Sequence, residues 1–488
     1  MPQMHKFISG GFLLKISLML FLIATGFLSE LRGQEVEGIL TPKGMFGAVG
    51  KFHPIARQAF LIDAQQRANI LAAKGAFDPV LYSDYDYKQF DAKQYYSIWQ
   101  TELELPSWYG LAFKAGYSFA EGDFINPEEK LPPTGLGALG FSWTPLQGFF
   151  MDDRRAGLAQ AKIFAQSTAA QQQVMFNDLL LESWGTYWDW AGAKYQVEVL
   201  ENALRVGRDR FQLVRTSFQQ GDVAAIDTLE ALIQVQNREL ELNDAMLQLQ
   251  KANFLLSNFF WNSDTEPVGI PLAIEAVDRN GLDLAGSSLQ KMRADINNIA
   301  RQHPMVQIYN YKLADLEVTR RLKAEKLKPN LKVNYNLLGT SFDLINNNDN
   351  QGAVIPQNYK WGANFSYPLF VRDARGQLRL QELKIQETDL NRNLKITEIS
   401  NKLLASYAEL DITSNQVRLY AQILNNYRRL FEAETLKFQL GDSSLFLVNS
   451  RENRLIEAEL KAIELLIKNR IAASELAWAI GDMSLLLD

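Results

Sequence analysis

The pentapeptide FQQGD, Phe218 to Asp222, interrupts a long polar segment that otherwise holds no proline and no Gly-Asp pair. FQLGD, Phe438 to Asp442, interrupts an equally long segment further along the chain. A glycine after a helix supplies a left-handed C-terminal cap, and an aspartate beside it can cap the next helix. Each pentapeptide therefore reads as the tip of a helical hairpin, with Gly221, Asp222, Gly441 and Asp442 at the turns. Two long hairpins sharing one tip sequence point to an internal duplication, which sets the architecture before any single residue is interpreted.

The order of features around the tips repeats as well. His53-Pro54 recurs as His303-Pro304, and DPVLYSDYDY (Asp78 to Tyr87) is answered by KPNLKVNYNL (Lys328 to Leu337). GFSWTPL (Gly140 to Leu146) is matched by NFSYPLF (Asn364 to Phe370). This divides the chain into a leader at 1–33, a first repeat at 34–261, a linker at 262–287 containing Pro267, Pro271 and several glycines, and a second repeat at 288–488.

Within each repeat the hydrophobic period changes. Pro54 to Ala76 and Pro304 to Leu327 read as helices that begin on a proline in the first turn. Alternation follows, within about 79–145 and 330–368. Leu331, Val333, Tyr335 and Leu337 are apolar while Lys332, Asn334 and Asn336 are polar. Leu81, Tyr85 and Tyr87 likewise oppose Asp84, Asp86 and Lys88. Second strands place Leu139, Phe141 and Trp143 against Gly140, Ser142 and Thr144, and Trp361, Phe365 and Tyr367 against Gly362, Asn364 and Ser366. The long helical segments then run from Met151 to Gln219 and from Val371 to Gln439, roughly 100 Å each at 1.5 Å per residue.

Composition narrows the class. Lys6 and Lys15 precede an apolar run from Ile16 to Leu28 with Gly33 as a cleavage point, the pattern of a secretory signal peptide. Without residues 1–33 the formal charge moves from -6 to about -8, which argues against nucleic-acid binding. There is no cysteine, so thiolate metal sites, cysteine nucleophiles and thioether lipidation are excluded. His53 and His303 are the only histidines after the leader, and their repeat-equivalent places make them helix-junction residues rather than metal ligands or catalysts. No phosphate loop or nucleophile motif occurs, and Asp152-Asp153 sits at a helix start, where the dipole favours acids. The expectation is a protein with no enzymatic activity, no cofactor and no metal.

No later run of about 18 apolar residues follows the leader, so membrane contact is expected through strands. Tyr85, Phe141, Trp143, Val333, Tyr335, Phe365 and Tyr367 then form the lipid-facing side of a barrel wall, with polar residues facing water. Two strands per repeat give four per chain, too few to close a barrel alone; two copies would supply about 8 strands and three about 12, the latter wide enough to leave a lumen. The segment from Trp99 to Phe119 alternates too, and is either an added hairpin that widens the barrel or an elaboration beyond the membrane.

With these features in place, the chain from about Leu40 to Asp482 resembles the TolC-like outer-membrane efflux proteins. The resemblance rests on the tandem order of helix, strands, long helix, tip and returning helix, and on the tip segments RTSFQQGDVAAIDTLEAL and TLKFQLGDSSLFLVNS. It implies a mainly α protein with membrane β-strands: a homotrimeric outer-membrane β-barrel continued by a periplasmic α-helical barrel. It also implies passive conduction for drug efflux or type I secretion, with a periplasmic adaptor (membrane fusion protein) and an inner-membrane RND or ABC transporter as partners. Gly221, Asp222, Gly441 and Asp442 match the adaptor-facing turns, and Asp227 matches an acidic position past the first tip. The aperture candidates are Asp227, Phe438, Ser443, Leu447 and Ser450; the last three stand where family members carry basic gate and acidic aperture residues, and Phe438 keeps an aromatic ring without a hydroxyl. Two other readings are a periplasmic adaptor, which would show one hairpin between split β domains, and a coiled-coil structural protein of the envelope, in which the aromatic strand faces would be buried.

Overall fold

The structure, a computed structural model, describes residues 38–127, 130–271, 274–277, 295–340 and 358–486. The leader lies outside them, as do linker residues 272–273 and 278–287. The chain forms two compact units. One takes the chain up to Phe60, Gln172–Pro304 and Thr397 onward; the other takes Leu61–Gln171 and Met305–Ile396.

In chain order the elements are β1 (Ile39–Leu40), α1 (Pro42–Phe52), α2 (Pro54–Gly75), β2 (Val80–Phe90), β3 (Lys93–Pro106), β4 (Leu111–Glu121), β5 (Leu136–Trp143), α3 (Asp153–Gln220) and α4 (Ala225–Ser257). They continue with β6 (Glu275–Ala276), α5 (Ile296–Gln302), α6 (Pro304–Glu325), β7 (Asn330–Gly339), β8 (Tyr359–Ser366), α7 (Arg372–Gln439) and α8 (Leu445–Ile480), and end in a short 3-10 turn at Met483–Leu486. Helices α3 and α7 are both 68 residues long, and α2 and α6 both 22.

The unit that holds the strands is built on one antiparallel sheet in the order β2-β3-β4-β5-β7-β8. The expectation of four wall strands per chain is corrected to six in this sheet among the described residues, because the segment around Trp99 to Phe119 enters it as parts of β3 and β4. β2 turns into β3 through Asp91 and Ala92, at φ 51° and 55°, the two left-handed residues that a tight hairpin of native twist requires. Tyr367 lies one residue past the end of β8, so it extends the strand's parity without belonging to the ladder.

The other unit has its core on α3, around Trp184, Tyr187, Trp188 and Trp190. Tyr187 is fully buried and donates its hydroxyl to the Leu40 carbonyl at 2.8 Å, while Trp184 Nε1 donates to the Arg470 carbonyl at 3.2 Å. β1 pairs in parallel with β6, which lies in the segment read as linker. Both histidines sit at helix junctions. His53 precedes α2 and accepts from the Ile55 amide at 3.2 Å; His303 precedes α6, its ring 6.3 Å from that of Trp478.

Candidate functional site

The two tips are built alike. Gly221 has φ 84° and Gly441 φ 82°, and the Gly221 and Gly441 amides donate to the Phe218 and Phe438 carbonyls at 3.1 Å. The next amides, of Asp222 and Asp442, reach back to the Ser217 and Lys437 carbonyls at 2.9 Å, closing the six-residue glycine cap. A Cβ at either glycine would meet no heavy atom within 4 Å, so left-handed backbone and not crowding requires glycine there.

The capping role assigned to Asp222 and Asp442 is corrected. The N-cap positions of the returning helices fall two residues later, on Ala224 and Ser444. At the first tip the N-cap side chain is an alanine methyl and accepts nothing; Asp227, in the first turn, takes the Ala224 amide on its carboxylate at 3.2 Å. At the second, Ser444 Oγ accepts from the Leu447 amide at 3.4 Å. Asp222 and Asp442 are left exposed on the turns.

The aperture candidates fall on and just behind these turns. Ser443 donates to Glu434 Oε1 at 2.6 Å, and Arg451 lies 3.6 Å from the other oxygen of that carboxylate. The Ser443 hydroxyl, with Lys437 and Arg451, holds the Glu434 carboxyl below the usual range. Phe438 and Leu447 are partly exposed and Ser450 is half-buried. Asp227 makes its contact within its own tip.

Behind the tips is a network that the sequence reading missed. Arg210 on α3 pairs with Glu452 on α8 and also donates to Asn449 Oδ1 at 3.0 Å. Asn449 in turn donates to Glu230 Oε1 on α4 at 3.1 Å. Nearer the turns, Val214, Ala231 and Leu445 pack as a small apolar cluster. The one trace in the sequence is positional: Arg210 stands eleven residues before Gly221 and Glu452 eleven after Gly441.

In the sheet, register places most of the aromatic and aliphatic residues on one face. Phe113, Phe141, Tyr335 and Trp361 are successive direct partners across β4, β5, β7 and β8. Trp143 is opposite Val333, Leu331 opposite Phe365, and Tyr85 opposite Trp99, which is opposite Phe119. The other face carries Asp84, Gln100, Glu102, Lys114, Ser142, Asn334, Asn336 and Lys360, with Lys114 set between Glu102 and Glu104. Gly140 is required on that face, since a Cβ would run into the backbone of Tyr335 and Asn336.

Among the described residues no three His, Cys, Asp or Glu gather as a metal-binding group, and no helix is long and apolar enough to cross a membrane.

No protein-family profile and no curated protein sequence matches the chain. Solved structures do. The Campylobacter jejuni CmeC outer membrane channel aligns over 91% of this chain and 86% of its own, with 12% identity and a TM-score of 0.62. The Vibrio cholerae outer membrane protein VceC aligns over 90% and 96%, with 13% identity and a TM-score of 0.63. The open Neisseria gonorrhoeae MtrE outer membrane channel aligns over 91% and 89%, with 10% identity and a TM-score of 0.62. The fold is therefore that of the TolC-like outer-membrane channels.

Proposed function

We propose that the chain is an outer-membrane channel subunit: three copies form a tunnel that passively conducts cargo from periplasmic partners to the exterior. The observation that carries this reading is an apolar face rich in aromatic residues to which all six strands contribute, in a sheet whose outer edges have no partner among the described residues. Exposed aromatic and aliphatic side chains on one face, with carboxylates, amides and lysines on the other, suit a wall between lipid and water. Open strand edges are not tolerated in hydrocarbon, so such a wall must be closed by other copies.

The remaining parts follow from that assignment. The leader is removed on export, the two halves of the chain are tandem repeats, and the helices of 68 residues form the periplasmic staves. Gly221, Asp222, Gly441 and Asp442 meet a membrane fusion protein coupled to an RND or ABC transporter, which supplies the energy. The channel performs no chemistry on its cargo, and the reading covers tripartite efflux and type I secretion alike.

Fractionation and reconstitution test it. The protein should need detergent for release from the outer membrane, migrate as a trimer, and give discrete conductance steps in a planar bilayer. Deleting it should raise sensitivity to small toxic compounds or stop export of a polypeptide, which separates the two cargo classes. A chain recovered in the aqueous periplasmic fraction would refute the reading.

A further inference from the structure

We infer that the trimer closes as an 18-stranded barrel in which β8 of one copy pairs with β2 of the next, Trp361 opposite Tyr85 and Lys360 opposite Asp86. This rests on the trimeric channel proposed above; the strand count, edge and register are new.

The argument starts at the sheet edges. β2 is exposed along its whole length and β8 along all but one residue, whereas β4 and β5 between them are mostly half-buried. Because the six strands alternate in direction, β8 runs opposite to β2, and a second copy continues the antiparallel order without a break. The parity of the aromatic face then allows only registers that place odd-numbered residues of β8 opposite odd-numbered residues of β2.

Stagger selects among these. A row of direct partners runs Leu81, Leu103, Ala115, Leu139, Leu337, Tyr359, entering near the start of β2 and leaving at the start of β8. With Lys360 opposite Asp86, Tyr359 meets Tyr87 of the next copy, so the row climbs six residues per chain. Six residues of about 3.3 Å over six spacings of about 4.8 Å tilt the strands by about 35°, within the range of closed barrels. A shift of two residues one way lowers the tilt to about 25° and leaves the end of β8 beyond Val80. The same shift the other way sets Lys360 against Lys88, a like-charge pair.

The chosen register sets the whole of β8 flush against β2, Ser366 on Val80 through Tyr359 on Tyr87. It stacks an aromatic pair on the apolar face and joins Lys360 to Asp86 on the polar face. Neither of these charges has an ion-pair partner among the described residues. Eighteen strands rather than twelve widen the lumen by about half.

The absence of native cysteine allows a direct test on the full-length chain in its own membrane. Asp86→Cys with Lys360→Cys, oxidised or treated with a short bis-thiol reagent, should yield a covalent trimer released by reductant. Lys88→Cys with Lys360→Cys should yield at least several-fold less. Lys360→Glu should lower trimer recovery several-fold, and adding Asp86→Lys should restore it. Normal outer-membrane trimers in which Lys360→Cys links to Gly116→Cys or Ser118→Cys on β4, or to neither strand, overturn the 18-stranded closure and leave the channel reading intact. Failure of the wild-type chain to form outer-membrane trimers overturns both.

Discussion

Arg210 and Glu452 form a two-bond ion pair between the first helical hairpin and α8, Nη1 to Oε2 at 2.6 Å and Nη2 to Oε1 at 2.7 Å. Both side chains are mostly buried, at 18% and 13% exposure, so the pair lies between the surface and core regimes. Removing one partner strands the other charge, along with the Asn449 amide that Arg210 also holds. Glu452→Gln or Arg210→Ala should therefore cost about 1–3 kcal/mol locally. The double change Arg210→Met with Glu452→Met should recover much of that loss. Hydrogen exchange on α3 and α8 near the tips reads the difference; equal loss of protection in single and double variants would show that the two residues are not coupled.

His53 gives the fold a pH dependence of known sign. It is buried at the start of α2, where its neutral Nδ1 accepts the Ile55 amide, and burial holds its pKa below the usual histidine range against the opposing pull of Glu182. In the unfolded chain the ring titrates near 6.5. As pH falls through that value the unfolded state takes up the proton first, so stability present above about pH 6.5 is lost down to the depressed folded pKa. His53→Asn can still accept the Ile55 amide but does not titrate. Melting of the detergent-solubilised protein between pH 8 and pH 5.5 should fall more steeply in wild type than in His53→Asn.

The tips and the sheet parity were legible because each depends on local rules: a left-handed residue after a helix, and a side-chain period of two. The number of strands was not. The β2–β3 turn is Asp91-Ala92, and with no glycine or asparagine at its second position it lacks the usual hairpin signal. The misassigned aspartate caps have a similar cause, since one further residue separates each glycine-aspartate pair from the N-cap position of the next helix. The Arg210–Glu452 pair spans 242 positions, and no periodicity of one helix can announce a partner on another. The same holds for the buried aromatics from Trp184 to Trp190, whose partners include Leu40 and Arg470.

The aromatic ladder makes a prediction about assembly. Tyr335 lies between Phe141 and Trp361 in the register, and its ring is 6.0 Å from that of Phe141 and 5.9 Å from that of Tyr359. Phe365, opposite Leu331, is largely exposed on the same face. Tyr335→Lys or Phe365→Lys should cost roughly 2–4 kcal/mol if the site is near the bilayer midplane, seen as reduced recovery of heat-resistant trimer. Asn334→Ser, on the opposite face of the same strand, should leave recovery nearly unchanged. Equal yields from the two classes would contradict the assignment of the faces.

Gly221 and Gly441 separate a structural turn from a docking turn. Each is left-handed and each faces open space, so a side chain there meets backbone strain and no collision. Gly221→Ala and Gly441→Ala should each cost about 1 kcal/mol, confined to the cap, and trimer yield should stay close to normal. Gly221→Leu and Gly441→Leu add little further strain, because no heavy atom stands within 4 Å of the Cβ position, yet they place bulk on the surface that a partner would cover. If the turns only connect helices, alanine and leucine variants should behave alike. If they dock an adaptor, the leucine variants should lose adaptor pull-down and export together while the alanine variants retain most of both. Leucine variants with normal trimers, normal adaptor capture and normal export would exclude the tips as the docking site.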